Sequence, residues 1–215
     1  MNELTDPYCL TDDQAAGLLA ERTWRRFAGV GDSVVEGVRE PAEGYRDESW
    51  IDRLLRWIRL VGPDLTELNL GRRDLRAAEV RATQLAAALD FRPDVAAVSA
   101  GGNDMFRRDF DPAAVAADLS AIVGSLRRSG CEVITLGFFD IGQAGIVPER
   151  YAARSSARIR QLGELTGEVA ARHGALFVNL NDHPLSKDPT IYSSDLVHLN
   201  ARGNAVVAAE VLRRL

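Results

Sequence analysis

Five short apolar runs alternate along this chain with longer stretches of helical period, and that alternation constrains the fold more than any other feature. The runs are Arg26–Gly31, Thr66–Leu70, Asp94–Ala100, Glu132–Phe138 and Ala175–Leu180. Between them lie Asp47–Val61, Leu75–Asp90, Pro112–Ser129 and Arg150–His173, and Ala201–Leu215 closes the chain. Runs such as Val-Ala-Ala-Val (95–98) and Val-Ile-Thr-Leu (133–136) show no polar alternation, as expected of strands covered on both faces. In Leu75–Asp90 a helical period gathers Leu75, Ala78, Ala82, Leu85, Ala86 and Leu89 on one side, which is the face predicted to be buried. Right-handed crossovers place helices on both faces of a parallel sheet. The pattern therefore predicts a three-layer α/β/α sandwich around a five-stranded parallel sheet.

The punctuation agrees. Asp111-Pro112 offers an N-cap followed by proline at the first helical position, and Gly130 and Gly174 stand just past predicted helix ends. Residues 1–24 form an N-terminal helical extension, in which Thr11–Arg22 is amphipathic and opens on Asp12 and Asp13. No repeat or linker divides the 215 residues, so the chain reads as one domain. With 46% hydrophobic residues it is not a disordered chain, and a formal charge of −5 gives no basic footprint for nucleic acid. No apolar stretch is long enough for membrane insertion. Cys9 and Cys131 read as free thiols, and Met1–Asp13 lacks the pattern of a secretory signal, so a cytoplasmic location is expected.

In an open parallel sheet, ligands bind beyond the carboxyl ends of the strands, and three polar clusters fall there. They are Gly31-Asp32-Ser33 after the first run, Gly101-Gly102-Asn103-Asp104 after the third, and Asp195-Leu196-Val197-His198 in the loop before the last helix. Dinucleotide, Walker and nucleophile-elbow patterns all fail around Ser33, because positions 34 and 35 are Val and the chain has no Gly-Lys pair. Two readings of Ser33 remain: a helix N-cap, or a nucleophile. A nucleophilic serine needs a base, and the base needs a partner that fixes its tautomer. Of three histidines, only His198 stands three residues after a carboxylate in such a loop; the bland alternative is that Asp195 or Asn200 merely caps the last helix. His173 fits a helix end and His183 a polar turn. The histidines are separated and no His-Glu-x-x-His motif occurs, so neither a metal nor a cofactor is expected.

Taken together, Gly31-Asp32-Ser33, Gly101-x-Asn103-Asp104 and Asp195-x-x-His198 resemble three conserved blocks of the SGNH (GDSL) hydrolase family, in order, over roughly Arg25 to Leu215. The resemblance implies a flavodoxin-like sheet and a triad of Ser33, His198 and Asp195. It also implies an oxyanion hole made by the Ser33 N–H, a backbone N–H of the second block and the Asn103 side-chain amide. Donors fixed around a developing oxyanion lower the barrier to acyl transfer by about 3 kcal/mol each. The second block departs from the family, since Asn69-Leu70-Gly71-Arg72-Arg73-Asp74 puts Asp74 where the family's glycine is expected. Either Gly71 donates instead, or Asp74 offers its N–H with its carboxylate turned outward or towards the site. Asp32 and Asp104 are expected to support their loops.

The expected activity is that of a serine esterase or acyl hydrolase acting on a small ester. An acyltransferase with the same first half-reaction, and a binding protein impaired by Asp74, are the alternatives. The loops Val38–Glu48, Met105–Asp111 and Phe138–Pro148 are expected to line the pocket, with Met105, Phe106, Phe110, Phe138, Phe139, Ile141 and Ile146 as a candidate acyl wall.

Overall fold

The computed structural model describes residues 1–215, and its centre is a sheet of five parallel strands. These are β1 (Arg26–Gly31), β2 (Thr66–Asn69), β3 (Val95–Ser99), β4 (Glu132–Leu136) and β5 (Leu176–Val178), in the spatial order β2-β1-β3-β4-β5. Every residue of β3 is buried, as its unbroken small apolar run requires, whereas the edge strand β2 exposes Thr66, Glu67 and Asn69. The helices are α1 (Asp12–Leu19), α2 (Ser33–Glu36), α3 (Trp50–Val61), α4 (Ala77–Phe91), α5 (Gly102–Met105), α6 (Pro112–Arg128), α7 (Glu149–His173) and α8 (Ala201–Arg214). Helices α4, α6 and α7 pack side by side on one face of the sheet, and α1, α3 and α8 form the other layer. The three-layer α/β/α prediction holds, and a connected core of 51 buried apolar residues runs through it.

Four of the five strands are shorter than their apolar runs, β3 and β4 by two residues each and β2 and β5 for reasons visible in the structure. β2 stops at Asn69 because that side chain bends back, its amide donating to Val35 O at 2.9 Å and its Oδ1 accepting from Gly71 N at 2.9 Å. The outer strand β5 is paired on one side only, from Leu176 to Val178. The inward face of α4 also differs from the prediction. Ala78, Ala82 and Ala86 are exposed, and the buried row is Ala77, Val80, Gln84 and Ala88, with Leu75, Leu85 and Leu89 at its margins. Alanine is tolerated inside and outside, so an alanine-rich helix does not announce its face. A specific polar fit sets it here. Gln84 accepts from Gly31 N at 2.7 Å and donates to Gly31 O at 2.8 Å, clamping the last residue of β1.

The caps follow the sequence. Asp111 accepts from Ala113 N and Ala114 N at 3.0 and 3.1 Å, and Gly174 ends α7 in the left-handed conformation. The N-terminal extension is pinned by ion pairs and hydrogen bonds. Buried Asp6 accepts from Tyr45 Oη at 2.8 Å and Arg202 Nε at 3.0 Å, and Asp12 accepts from Trp57 Nε1 at 3.0 Å. No helix is long and apolar enough to cross a membrane.

The strand order places the switch point of the sheet between β1 and β3. From β1 the chain moves to the β2 side, and from β2 it returns to the other side of β1. Loops leaving β1 and β3 therefore diverge from adjacent strand ends and leave a crevice between them. A Cβ on Gly31 would lie 2.1 Å from Ser99 O, so only glycine lets these two strand ends close at its base.

Candidate active site

Ser33 stands in that crevice as the first residue of α2. The cap of this short helix is Asp32, whose Oδ1 accepts from Val34 N at 3.1 Å, so the Ser33 hydroxyl is not spent on capping. It lies 2.8 Å from His198 Nε2. The backbone N–H of Ser33 has no partner within the chain. Asp32 is 1% exposed, and burial pushes its carboxyl up to about 7 against the opposing pull of the Val34 hydrogen bond and the His198 charge.

His198 comes from a tight loop whose ends are closed by an antiparallel bridge between Tyr192 and Leu199. Within it, Asp195 Oδ1 accepts from Val197 N and His198 N, each at 2.9 Å, and Leu196 takes a left-handed φ of 60°. Asp195 Oδ2 lies 2.6 Å from His198 Nδ1. With a carboxylate there, Nδ1 carries the ring proton and Nε2 is left as acceptor for the Ser33 hydroxyl. Burial raises the Asp195 carboxyl, but the hydrogen bonds from the His198 ring and from the two backbone N–H groups outweigh it and hold it below the usual range. The cap of α8 is Asn200, which accepts from Arg202 N at 3.0 Å and Gly203 N at 3.2 Å. Asp195 is thus left to the imidazole.

The second and third polar clusters reach the same crevice. Gly71 packs onto α2, where a Cβ would lie 2.2 Å from Glu36 N, and its own N–H is taken by Asn69. Arg73 N then donates to Glu36 Oε2 at 2.6 Å. The next residue, Asp74, lines the cavity beside Ser33 with a left-handed φ of 68°, an exposed side chain and a backbone N–H free of intrachain partners. Asn103 donates one amide hydrogen to Leu75 O at 2.9 Å, which orients the group while leaving its second hydrogen unassigned. Asp104 accepts from Ala77 N at 2.9 Å, so it fastens α5 to the start of α4 rather than bracing the Asn103 loop alone.

A cavity of about 360 Å³ opens at this cluster. Ser33, Asp74, Asn103, Asp195 and His198 lie on it, and its inner wall is apolar, including Leu136, Ile159, Leu180 and Val207 from the core. Of the predicted acyl wall, Met105, Phe106, Phe138, Phe139 and Ile141 line it. Phe110 and Ile146 do not, and pack instead against the core under neighbouring loops. From Val38–Glu48 only Val38 reaches it. His183 is elsewhere, edge-on to Tyr8 and Phe139, and His173 lies 2.7 Å from Ser120 Oγ. No cluster of three or more His, Cys, Asp or Glu side chains is arranged to hold a metal ion. Sequence reasoning missed Gln84, whose only signal is a polar side chain at a spacing shared with Ala77, Val80 and Ala88.

An α/β/α fold that presents a serine hydroxyl, an imidazole and a carboxylate in one hydrogen-bonded chain at its strand exits has the architecture of a serine hydrolase. Residues 30–206 match the family model described as GDSL-like lipase/acylhydrolase. The chain belongs to that family, and family membership together with the Ser33–His198 contact supports ester hydrolysis by a serine mechanism. No curated protein matches the chain. Among solved structures it is similar to an alpha/beta hydrolase enzyme from the metagenome of Lake Arreo, at 22% identity and TM-score 0.70, covering 88% of this chain and 94% of that one. The lipase/acylhydrolase from Enterococcus faecalis gives 20% identity and TM-score 0.67, with 88% and 94% covered. An acetylxylan esterase from Geobacillus stearothermophilus gives 18% and 0.68, with 88% and 93% covered. At these identities the likeness is one of fold.

Proposed function

We propose that the protein is an ester hydrolase in which Ser33 is the nucleophile, His198 the general base and Asp195 the group that orients and charge-balances the imidazole. The observation that carries the reading is the continuous chain Asp195–His198–Ser33, with contacts of 2.6 and 2.8 Å at the switch point of the sheet. His198 Nε2 takes the hydroxyl proton as Ser33 Oγ adds to the ester carbonyl. The carbonyl–alkoxy bond then breaks, the alcohol leaves with the proton held by His198, and the acyl group stays on Ser33. Water deprotonated by the same nitrogen releases the acid and restores the hydroxyl. The free N–H groups of Ser33 and Asp74 and the second amide hydrogen of Asn103 are the donors assigned to the oxyanion. The Gly71 N–H, already bonded to Asn69, is set aside.

The acyl group is assigned to the apolar cavity, whose aliphatic and aromatic wall suits a hydrocarbon chain longer than acetyl. Two buried thiols, Cys9 and Cys131, both free, fit a reducing compartment such as the cytoplasm. The test is a panel of p-nitrophenyl esters from acetate to decanoate with the wild type and Ser33→Ala. A rate optimum beyond acetate that Ser33→Ala removes, with the thermal midpoint unchanged, is the expected result. Undiminished turnover by Ser33→Ala would reject the assignment.

A further inference from the structure

The loop bearing Asp195 and His198 is held by a residue that comes from the other arm of the site. Seven positions after Ser33, Glu40 crosses to this loop, where its Oε2 accepts from Ser194 N at 2.9 Å and its Oε1 accepts from Ser194 Oγ. Its backbone carbonyl accepts from Ala201 N at 2.8 Å, at the first residue of α8. One residue therefore grips the loop at both ends, beside Asp195 and just beyond His198. The grip is itself anchored: neighbouring Arg39 donates to Asp47 O at 2.7 Å, Asp47 Oδ1 at 2.9 Å and Gly37 O at 3.1 Å.

The loop needs such a grip. Residues 194–197 are exposed, and the left-handed Leu196 is a conformation that a branched aliphatic residue adopts at a cost. A bond to Ser194, immediately before Asp195, limits the excursions of the carboxylate and of the ring it orients. Displacement of a catalytic group by about 1 Å is enough to cost orders of magnitude in rate.

We propose that Glu40 is a positioning residue that ties the Asp195–His198 loop to the α2 segment carrying Ser33 and so maintains the Ser33–His198 contact. This rests on Ser33 being the nucleophile. The role is steric and directional. Glutamine at position 40 can keep both contacts, its carbonyl oxygen accepting from Ser194 N and its amide donating to Ser194 Oγ.

The experiment measures the rate at which a fluorophosphonate labels Ser33 in the wild type, Glu40→Ala and Glu40→Gln, resolved into the maximal rate and the half-saturating concentration. Labelling reports activation of the hydroxyl without requiring knowledge of the substrate. Glu40→Ala should lower the maximal rate about tenfold, the equivalent of one hydrogen bond, with half-saturation unchanged. Glu40→Gln should label within about twofold of wild type. Wild-type rates in Glu40→Ala would overturn the proposal. Loss in Glu40→Gln equal to that in Glu40→Ala would assign the effect to charge and overturn it too, as would an effect confined to half-saturation. A wild type that never labels on Ser33 would instead reject the nucleophile assignment itself.

Discussion

Replacing Asp32 with asparagine should make the protein more stable at neutral and alkaline pH and change it little in acid. Asp32 is 1% exposed, and its carboxyl is pushed from an ordinary 3.8 up to about 7, chiefly by burial. Between those values the folded protein holds a proton that the unfolded chain has released, so folding stability falls as pH rises through this window. The slope is about 1.4 kcal/mol per pH unit for one proton, and the span of about three units gives a total near 4 kcal/mol. Above pH 7 both states are ionised and the loss is complete; below 3.8 both are protonated and it vanishes. Asparagine keeps an oxygen for the Val34 N–H cap and never ionises. Urea unfolding of both proteins at intervals from pH 4 to pH 8.5 isolates the effect, since titrating groups that do not act on Asp32 cancel in the difference and only His198 and Asp104 are coupled to it. The difference should be small at pH 4, grow in favour of Asp32→Asn as pH rises, and level off above 7. A difference independent of pH, or one growing towards acid, would refute the reasoning.

Three further outcomes follow from the packing. Gln84→Ala leaves the buried Gly31 N–H without a partner, while the Gly31 carbonyl keeps only its bond from Arg72 N, and should cost about 1–3 kcal/mol in urea unfolding; a cost below about 0.5 kcal/mol would mean that the clamp is idle. Asp74→Gly retains the backbone N–H and relieves a left-handed non-glycine residue. Because the carboxylate is exposed and screened by water, turnover of a neutral aryl ester should change less than about threefold. A tenfold rise would show that the charge opposes the oxyanion. Ile141→Trp fills part of the apolar cavity, so octanoate turnover should fall about tenfold or more while acetate turnover is retained. Equal losses for both esters would place the acyl chain elsewhere.

Much of the architecture was legible because β3 and β4 are short runs without polar alternation, which only a sheet covered on both faces accepts. The candidate site was legible in three residues: Ser33, Asp195 and His198 each follow a predicted strand exit or precede the last helix, and the fold brings them into contact. The sequence left open what capped α2 and α8, and the structure resolves both in favour of Asp32 and Asn200. Side chains whose roles are purely geometric left little local signal. Gln84 reads as a surface residue on an alanine-rich helix, and Glu40 as one acid among several in a polar loop. Their partners lie 53 and 154 positions away, distances that no local pattern encodes. Residue 74 was visible as an anomaly, and the structure adds its physical form: a left-handed aspartate at a position where glycine is unstrained.

The most direct measurement of the central claim is a rapid-quench mass analysis of the protein during turnover of an activated ester. The wild type should carry one acyl group, mapped to the peptide containing Ser33, and His198→Ala should accumulate it far more slowly. Sustained hydrolysis with Ser33 unmodified at every time point, or an acyl group mapped to another residue, would contradict it.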